Sequence, residues 1–308
     1  MRYTLRQLEA FVAIARNENV SRAAEALSLS QSATSNALAE LENQFDQRLF
    51  DRHGRRLKLN EQGRLLLPRA VELLDRAQEI EALLSGERGL GSLKVGATLT
   101  VGNYLVPLIA ANFLQRHPES RVQLQVHNTA TIVGLVARYE IDIGLVEGAV
   151  SDPEVEVAPW VEDELVVFCA PSHPLAKHKT ASLAELADEH WILRERGSGT
   201  RETLEQALRR AKHGMTVRLE LEHTEAVKRA VESGLGIGCI SRLALRDAFR
   251  RGSLVPLETP ELDLERCFQF AWHKGKYHTA AIRTFLEECR AMTAGAHRSH
   301  EIRLPFVP

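Results

Sequence analysis

Ser21-Arg22-Ala23-Ala24-Glu25-Ala26-Leu27-Ser28-Leu29-Ser30-Gln31-Ser32-Ala33-Thr34-Ser35-Asn36 is the stretch that decides how this chain is read. Ala23, Ala24 and Leu27 suit a short helix that another helix can approach closely, and Ser21 is placed to cap it. Ser28-Leu29-Ser30 is a turn, after which Ser30 can cap a longer helix running to about Gln44. On that helix Thr34, Leu38, Leu41 and Phe45 form an inward stripe, leaving Gln31, Ser32, Ser35, Asn36 and Ala39 outside. Short helix, tight turn and a helix with small polar residues outward is the helix-turn-helix pattern. Its second helix fits a major groove, where short side chains let the backbone approach and amides reach base edges.

The flanks agree with that reading. Upstream, Thr4-x-x-Gln7 has capping-box form, and Leu5, Leu8, Phe11, Val12 and Ala15 recur at helical spacing until Asn17-Glu18-Asn19 breaks the helix. Downstream, Leu49/Phe50 and Leu57/Leu59 bracket a glycine turn, which predicts a β-hairpin wing. The wing concentrates Arg48, Arg52, Arg55, Arg56 and Lys58 against Asp51 alone, a local patch suited to phosphates. A small helical bundle with a solvated basic loop would share these spacings; the wing directly after the helix-turn-helix favours DNA.

Such a patch has to be local. The chain has 308 residues, with Lys+Arg 39 against Asp+Glu 41 and a formal charge of −2, so the molecule as a whole does not attract polyanions. At 44% hydrophobic and 26% charged it is an ordinary globular chain of about two domains at roughly 150 residues each. Cys169, Cys239, Cys267 and Cys289 lie far apart without metal-ligand spacing and read as reduced thiols of a cytoplasmic protein. Arg6, Glu9 and Arg16 break up any signal-peptide core. The uncharged stretch between Lys94 and Arg116 contains Thr98, Thr100, Asn103, Pro107 and Asn112, which suits a strand-turn-helix and not a membrane span.

Beyond the wing, Asn60 can cap a helix beginning at Glu61. Leu66, Ala70, Leu73, Ala77, Ile80 and Leu84 alternate spacings of four and three, an a/d seam that predicts a dimerisation helix. A lone amphipathic helix docked on its own domain would show the same spacing. Pro68 should bend it, and Ser85-Gly86-Glu87-Arg88-Gly89-Leu90-Gly91 has the glycine content of a hinge.

From Leu93 the pattern turns to alternating strands and helices. Strands are expected at Leu93 to Ala97, Val122 to Val126, Ile141 to Val146, Val217 to Leu221, Ile237 to Ile240 and Arg266 to His273. Helices are expected at about Gly102 to Arg116, from Thr131, and over Thr200 to Lys212, Glu225 to Glu232 and Thr279 to Met292. This is α/β with largely parallel sheets, which bind ligands where strand C-terminal ends meet helix N-termini. Four polar turns occupy such places: Thr98-Leu99-Thr100, Asn128-Thr129-Ala130-Thr131, Gly197-Ser198-Gly199-Thr200-Arg201 and His223-Thr224. Backbone N–H groups at a Gly-Ser-Gly turn, hydroxyls and Arg201 together suit a small anion. Each turn alone equally suits helix capping. Chemistry of other kinds is not indicated. Gly234-Leu235-Gly236-Ile237-Gly238 has Cys239 where a dinucleotide fingerprint needs glycine, and no nucleophile elbow or catalytic dyad stands out. No enzyme, cofactor or metal is expected.

The segments Leu8-Glu9-Ala10-Phe11, Ser21 to Leu27, Leu29 to Ala33, Leu41-Glu42 and Leu49-Phe50-Asp51-Arg52 resemble the N-terminal signature of the LysR-type transcriptional regulators. The resemblance continues through Leu93-Lys94-Val95-Gly96, Asp142 to Gly148, His173-Pro174-Leu175, Gly197 to Arg201 and Gly234 to Gly238. It implies a winged helix-turn-helix over residues 1–60, a linker and dimerisation helix with hinge over 61–91, and an effector-binding domain over 92–308. That domain resembles periplasmic solute-binding proteins: lobe one at about 92–161 and 266–295, lobe two at about 162–265, joined by two crossing strands with the ligand between. By the match, Gln31, Ser35 and Asn36 fall at base- or backbone-facing positions and Arg52 at the wing's phosphate contact; Ser21, Ser30, Ser32, Arg55 and Arg56 complete the candidate DNA-binding set. Asn36 stands where Arg is frequent, and Ser32 where Pro is frequent. The Gly-Ser-Gly-Thr-Arg turn is similar to members that sense small anions, including those of sulfur assimilation and carbon fixation. Self-association as a dimer or dimer of dimers, promoter DNA and RNA polymerase are the implied partners, with no membrane role. The competing class is a stand-alone solute-binding protein without DNA binding.

Overall fold

A computed structural model describes residues 2–53, 56–84 and 89–302. The first helix, α1 (Leu5–Asn17), carries the full Thr4/Gln7 capping box and ends where Glu18 turns left-handed at φ 49°. Next, α2 (Val20–Ala26) starts earlier than expected: Asn19, not Ser21, is its cap, accepting the Arg22 amide at 3.1 Å. The left-handed Glu18 leaves Asn19 already extended, and Asn caps as well as Ser, so the upstream residue takes the role. The cap of α3 (Gln31–Phe45) is Ser30, as read. Phe45 departs from the inward stripe: it ends the helix and stays 45% exposed, while Glu42 turns inward and accepts the Leu49 amide at 2.8 Å.

The wing is an antiparallel pair, β1 (Phe50–His53) and β2 (Arg56–Leu59), in which Phe50 faces Leu59. Phe11 and Phe50 meet at 5.6 Å between ring centroids in the head core, which also takes Leu67, Ala70 and Val71 of α4 (Glu61–Leu84). Asn60 caps α4 through the Gly63 amide at 2.8 Å, and the helix continues through Pro68. Ala70, placed in the seam by spacing, is thus buried in its own head. Of the expected hinge, residues 85–88 lie outside the described residues.

The rest of the chain runs β3 (Ser92–Thr98), α5 (Leu99–Tyr104), α6 (Val106–Arg116), β4 (Arg121–His127), α7 (Thr129–Ala137), β5 (Ile143–Glu147), β6 (Val155–Cys169), α8 (Leu183–Ala187), β7 (His190–Arg194) and α9 (Gly199–Arg210). It continues with β8 (Thr216–Leu221), α10 (Thr224–Glu232), β9 (Ile237–Ser241), α11 (Arg242–Arg251), β10 (Val255–Leu257), β11 (Glu265–His273) and α12 (Ala280–Thr293). One helix was expected over 102–116. The chain makes two, α5 and α6, because Pro107 is tolerated only in the first turn of a helix and a new one begins there. Likewise α7 begins at Thr129, not Thr131, because Asn128 caps it through the Thr131 amide at 3.0 Å.

Strand order is β4-β3-β5-β11-β6-β9-β7-β8, with β10 on β6. Pairing is parallel for β3 with β4 and β5, and for β7 with β8 and β9. It is antiparallel wherever β6 and β11 take part, so the sheets are mixed, not largely parallel. The reason is topological. The chain crosses from one lobe to the other on β6 and returns on β11, and two crossings in opposite senses pair antiparallel. Phe113, Phe268, Phe270 and Phe285 fill the lobe-one core, and Trp191 fills lobe two.

The head and linker dock on lobe one. The Lys276 ammonium is buried between Asp75 of α4 at 2.7 Å and Asp142 at 2.8 Å. Glu79 of α4 accepts from the Tyr277 hydroxyl at 3.2 Å and the Ala280 amide at 2.8 Å. Tyr139, stacked 4.0 Å from His273, joins the head core. Burial, opposed by Lys276, raises the Asp75 pKa above its ordinary value. Lys276→Met leaves two shielded carboxylates unpaired and should cost about 3–5 kcal/mol near neutral pH. Without the ammonium, Asp75 protonates at still higher pH. The deficit is therefore full above that raised pKa and shrinks as pH falls through it, which melting curves at pH 7.5 and 5 will show.

Candidate functional site

Two surfaces carry the residues singled out by sequence. On the head, Gln31, Ser32, Ser35 and Asn36 are exposed along one side of α3, and Ser30 and Ser32 hydroxyls lie 3.0 Å apart at its start. Ser21 is exposed in the first turn of α2. The wing is tied to this face: the Leu57 amide donates to the Glu18 carbonyl at 3.1 Å, so the left-handed turn ending α1 also anchors β2. Arg52 lies in β1 and Arg56 in β2, Lys58 is exposed between Leu57 and Leu59, and Arg55 lies outside the described residues. Arg48 pairs with Glu42 at 2.9 Å. The surface offers short polar groups on one helix with cations beside it.

Between the lobes lies a cavity of about 370 Å³ lined by Leu99, Asn103, Asn128, Glu195 and His223, among others. Of the residues singled out by sequence, Leu99 and the exposed His223 line this cavity; Thr98, Thr100, Thr129, Ser198, Thr200 and Thr224 are buried and do not line it. Their hydroxyls are largely spoken for. Thr129 donates to the Glu147 carbonyl and accepts the Gly199 amide, each at 3.0 Å. The Thr200 hydroxyl lies 3.1 Å from Glu147 Oε1, and the Thr224 hydroxyl accepts from Arg194 at 3.4 Å. Ser198 is not among them: at 2% exposure its Oγ has no hydrogen-bond partner among the described residues, although it stands at the N-cap of α9.

Arg201 does not supply the free cation expected from the turn. Its Nε donates to Glu205 at 2.7 Å, and its Nη1 donates to Glu220 and to the Arg194 carbonyl. Those carboxylates come from α9 and β8, and no local reading of Gly-Ser-Gly-Thr-Arg could anticipate them. Arg194 is likewise held by Glu195 at 2.8 Å, while Arg196 is exposed.

The glycines explain the turn's composition. Gly197 has φ +87°, and a Cβ on Gly199 would stand 2.0 Å from the Glu147 carbonyl oxygen. The lobes touch backbone to backbone here. Glu147 and Arg266, which complete this contact, were passed over in sequence; a lone cation beginning the apolar run Cys267-Phe268-Gln269-Phe270 was their one local signal. A second contact, from the Tyr104 hydroxyl to Glu225 with Lys228 on the same carboxylate at 2.7 Å, also spans the lobes. Burial pushes the Cys169 thiol up to about 11 and the Cys239 thiol up to about 12, so neither holds a reactive thiolate near neutral pH. Among the described residues no helix is long and apolar enough to cross a membrane.

The pattern described as "Bacterial regulatory helix-turn-helix protein, lysR family" matches residues 5–64, and that described as "LysR substrate binding domain" matches residues 86–294. The chain is 42% identical over 289 residues to the HTH-type transcriptional regulator YeiE of Escherichia coli (strain K12), spanning 94% of this chain and 98% of that one. It is similar to the regulatory domain of Synechocystis PCC6803 CcmR in complex with 2-PG, with a TM-score of 0.63 and 30% identity over 67% of this chain and 99% of that one. A full-length OxyR variant from Pseudomonas aeruginosa shares the fold at a TM-score of 0.72, with 22% identity over 94% and 95% of the two chains.

The glycine contact is open to a direct check. Gly199→Ala should destabilise by about 1–3 kcal/mol or more, because the methyl meets a backbone carbonyl that cannot retreat. Gly214→Ala, with nothing within 4 Å, should change stability by less than about 0.5 kcal/mol. Urea melts of the full chain compare the two.

Proposed function

The chain belongs to the LysR family of bacterial helix-turn-helix transcriptional regulators, and on that premise we propose that a small oxyanion held between its two lobes governs how paired heads sit on promoter DNA. The observation that carries this reading is the Ser198 hydroxyl. A buried hydroxyl without a partner costs about 1–3 kcal/mol, and a ligand oxygen would remove that cost. It stands at the start of a twelve-residue helix, where unpaired N–H groups and the helix dipole favour negative charge. CcmR, 30% identical, supports an anion by its complex with 2-PG. Arg194 and Arg201 then shape the turn by pairing with glutamates, and Thr98, Leu99, Thr100 and Thr129 form the opposite wall. On this reading the chain belongs with the anion-sensing members whose turn its Gly-Ser-Gly-Thr-Arg segment resembles.

On the DNA side, Gln31, Ser32, Ser35 and Asn36 read base edges, with Ser21 and Ser30 toward the backbone and the wing cations on phosphates. Ile80 and Leu84 of α4, 58% and 82% exposed, supply with Leu66, Leu73 and Ala77 the seam that pairs two chains. Leu83 lies beside them at 79%. Paired heads read two half-sites about one helical turn, or a whole number of turns, apart. A dimer or dimer of dimers acting on RNA polymerase at a promoter in the cytoplasm completes the reading.

Two experiments test it. In thermal-shift and calorimetric titrations with 2-PG, sulfate and phosphate, at least one anion should stabilise the full chain, and Ser198→Ala should weaken it about tenfold, or about 1.4 kcal/mol. Equal binding by Ser198→Ala contradicts the site. In gel shifts, Lys58→Ala should lower the salt slope of log K by about 1 while keeping sequence preference, whereas Gln31→Ala should erode the preference and keep the slope.

A further inference from the structure

The turn that presents Ser198 is held by a residue outside every motif read from the sequence. Arg266, the second residue of β11, is buried at the lobe crossing. Its Nε donates to Asp163 Oδ2 at 2.7 Å, its Nη2 to Glu147 Oε2 at 3.2 Å and its Nη1 to the Thr200 hydroxyl at 3.0 Å. Glu147 Oε1 in turn lies 3.1 Å from that hydroxyl, and the Glu147 carbonyl reaches Gly199 through Thr129. One guanidinium thus closes a ring that joins β5 and α7 of lobe one to the first two residues of α9 in lobe two. The second oxygen of Asp163 is occupied by the hydroxyls of Ser241 and Ser299, so the surplus negative charge is held on the side away from the turn. Burial alone would push the guanidinium pKa down, but Glu147 and Asp163 carry it above its ordinary value.

The electrostatics follow from the counts of charge. Glu147 and Asp163 are both almost fully buried beside the place where an anion would enter. Unneutralised, they would repel it and each other, and Glu147 would no longer hold Thr200 and Gly199 in register. We propose that Arg266 is the positioning residue of the effector site: it pairs with Glu147 and Asp163, leaving one of their two negative charges, which Ser241 and Ser299 hold away from the turn, and it fixes Thr200, so that the Gly197–Thr200 turn keeps the Ser198 hydroxyl available as a donor for a small oxyanion. This assignment rests on the effector reading above for its purpose, but its test needs no ligand.

The test is hydrogen–deuterium exchange of the full-length, ligand-free chain, with Arg266→Gln, Arg266→Lys and the double variant Arg266→Gln/Glu147→Gln beside the wild type. Arg266→Gln should raise amide exchange over 197–201 and 129–131 at least tenfold while β3 and β9 keep their protection. Arg266→Lys, which retains the charge, should keep most of the turn's protection. The double variant, with one uncompensated carboxylate removed, should recover much of what Arg266→Gln loses. Unchanged exchange at the turn in Arg266→Gln overturns the proposal. So does an equal rise throughout both lobes in Arg266→Gln and Arg266→Lys, which would mark Arg266 as a general support of the core, or a double variant no better protected than Arg266→Gln. Titration of the same proteins with 2-PG and inorganic sulfate separates the two readings. A wild type that ignores both anions while its turn responds as above counts against the effector reading alone, and binding that survives in Arg266→Gln counts against Arg266.

Discussion

The placement of the DNA-reading head depends on a buried ammonium. Lys276 lies between Asp75 of the linker helix and Asp142 of lobe one, and so helps to fix the direction in which α4 leaves the effector domain. Around it, Glu79 gathers the Tyr277 hydroxyl and the Ala280 amide, and the Arg76 guanidinium covers the Tyr277 ring at 4.3 Å. Because α4 also contributes Leu67, Ala70 and Val71 to the head core, the orientation of α3 follows from the same contact. Charge is therefore used here for geometry. Apolar packing alone would let the linker slide along its groove, whereas an ammonium between two carboxylates from different domains has one register.

The second constraint lies at the other end of the same strand. β11 begins beside Arg266 at the lobe crossing and ends at His273, three residues before Lys276. Nine residues of strand span about 30 Å, with a register shift between Phe268 and Gln269 and a turn at 274–275 before Lys276. Arg266 stands at the relation between the lobes, and Lys276, just past the turn that ends the strand, at the relation between lobe one and the linker. A ligand that binds two lobe arrangements unequally would move the heads by its difference in affinity and by nothing else.

What the sequence made legible was local. The Thr4/Gln7 capping box, the Ser30 cap, the wing and the outward side of α3 depend on residues within a few positions of one another, and they stand as read. Single-position errors were also local: Asn19 outcompeted Ser21 as a cap, Pro107 divided a helix, and Phe45 fell past the end of the core. What could not be read was set by partners far along the chain. β6 went unrecognised because Glu162, Asp163 and Glu164 interrupt its apolar pattern, yet Asp163 is there to receive Arg266 from β11. Arg201 looked like a free cation because Glu220, which engages it, belongs to another strand. Ala70 fitted the seam by spacing and was buried by a head core that spacing cannot see.

The most direct test of the account is a hydroxyl-radical footprint of the full-length chain on DNA from upstream of its own gene. Two protected patches on one face of the duplex, related by a dyad and separated by whole helical turns of about 10.5 base pairs, are predicted for paired α3 helices in successive major grooves. Protection without a dyad or without helical periodicity, or equal protection of an unrelated fragment at the same salt, would contradict it.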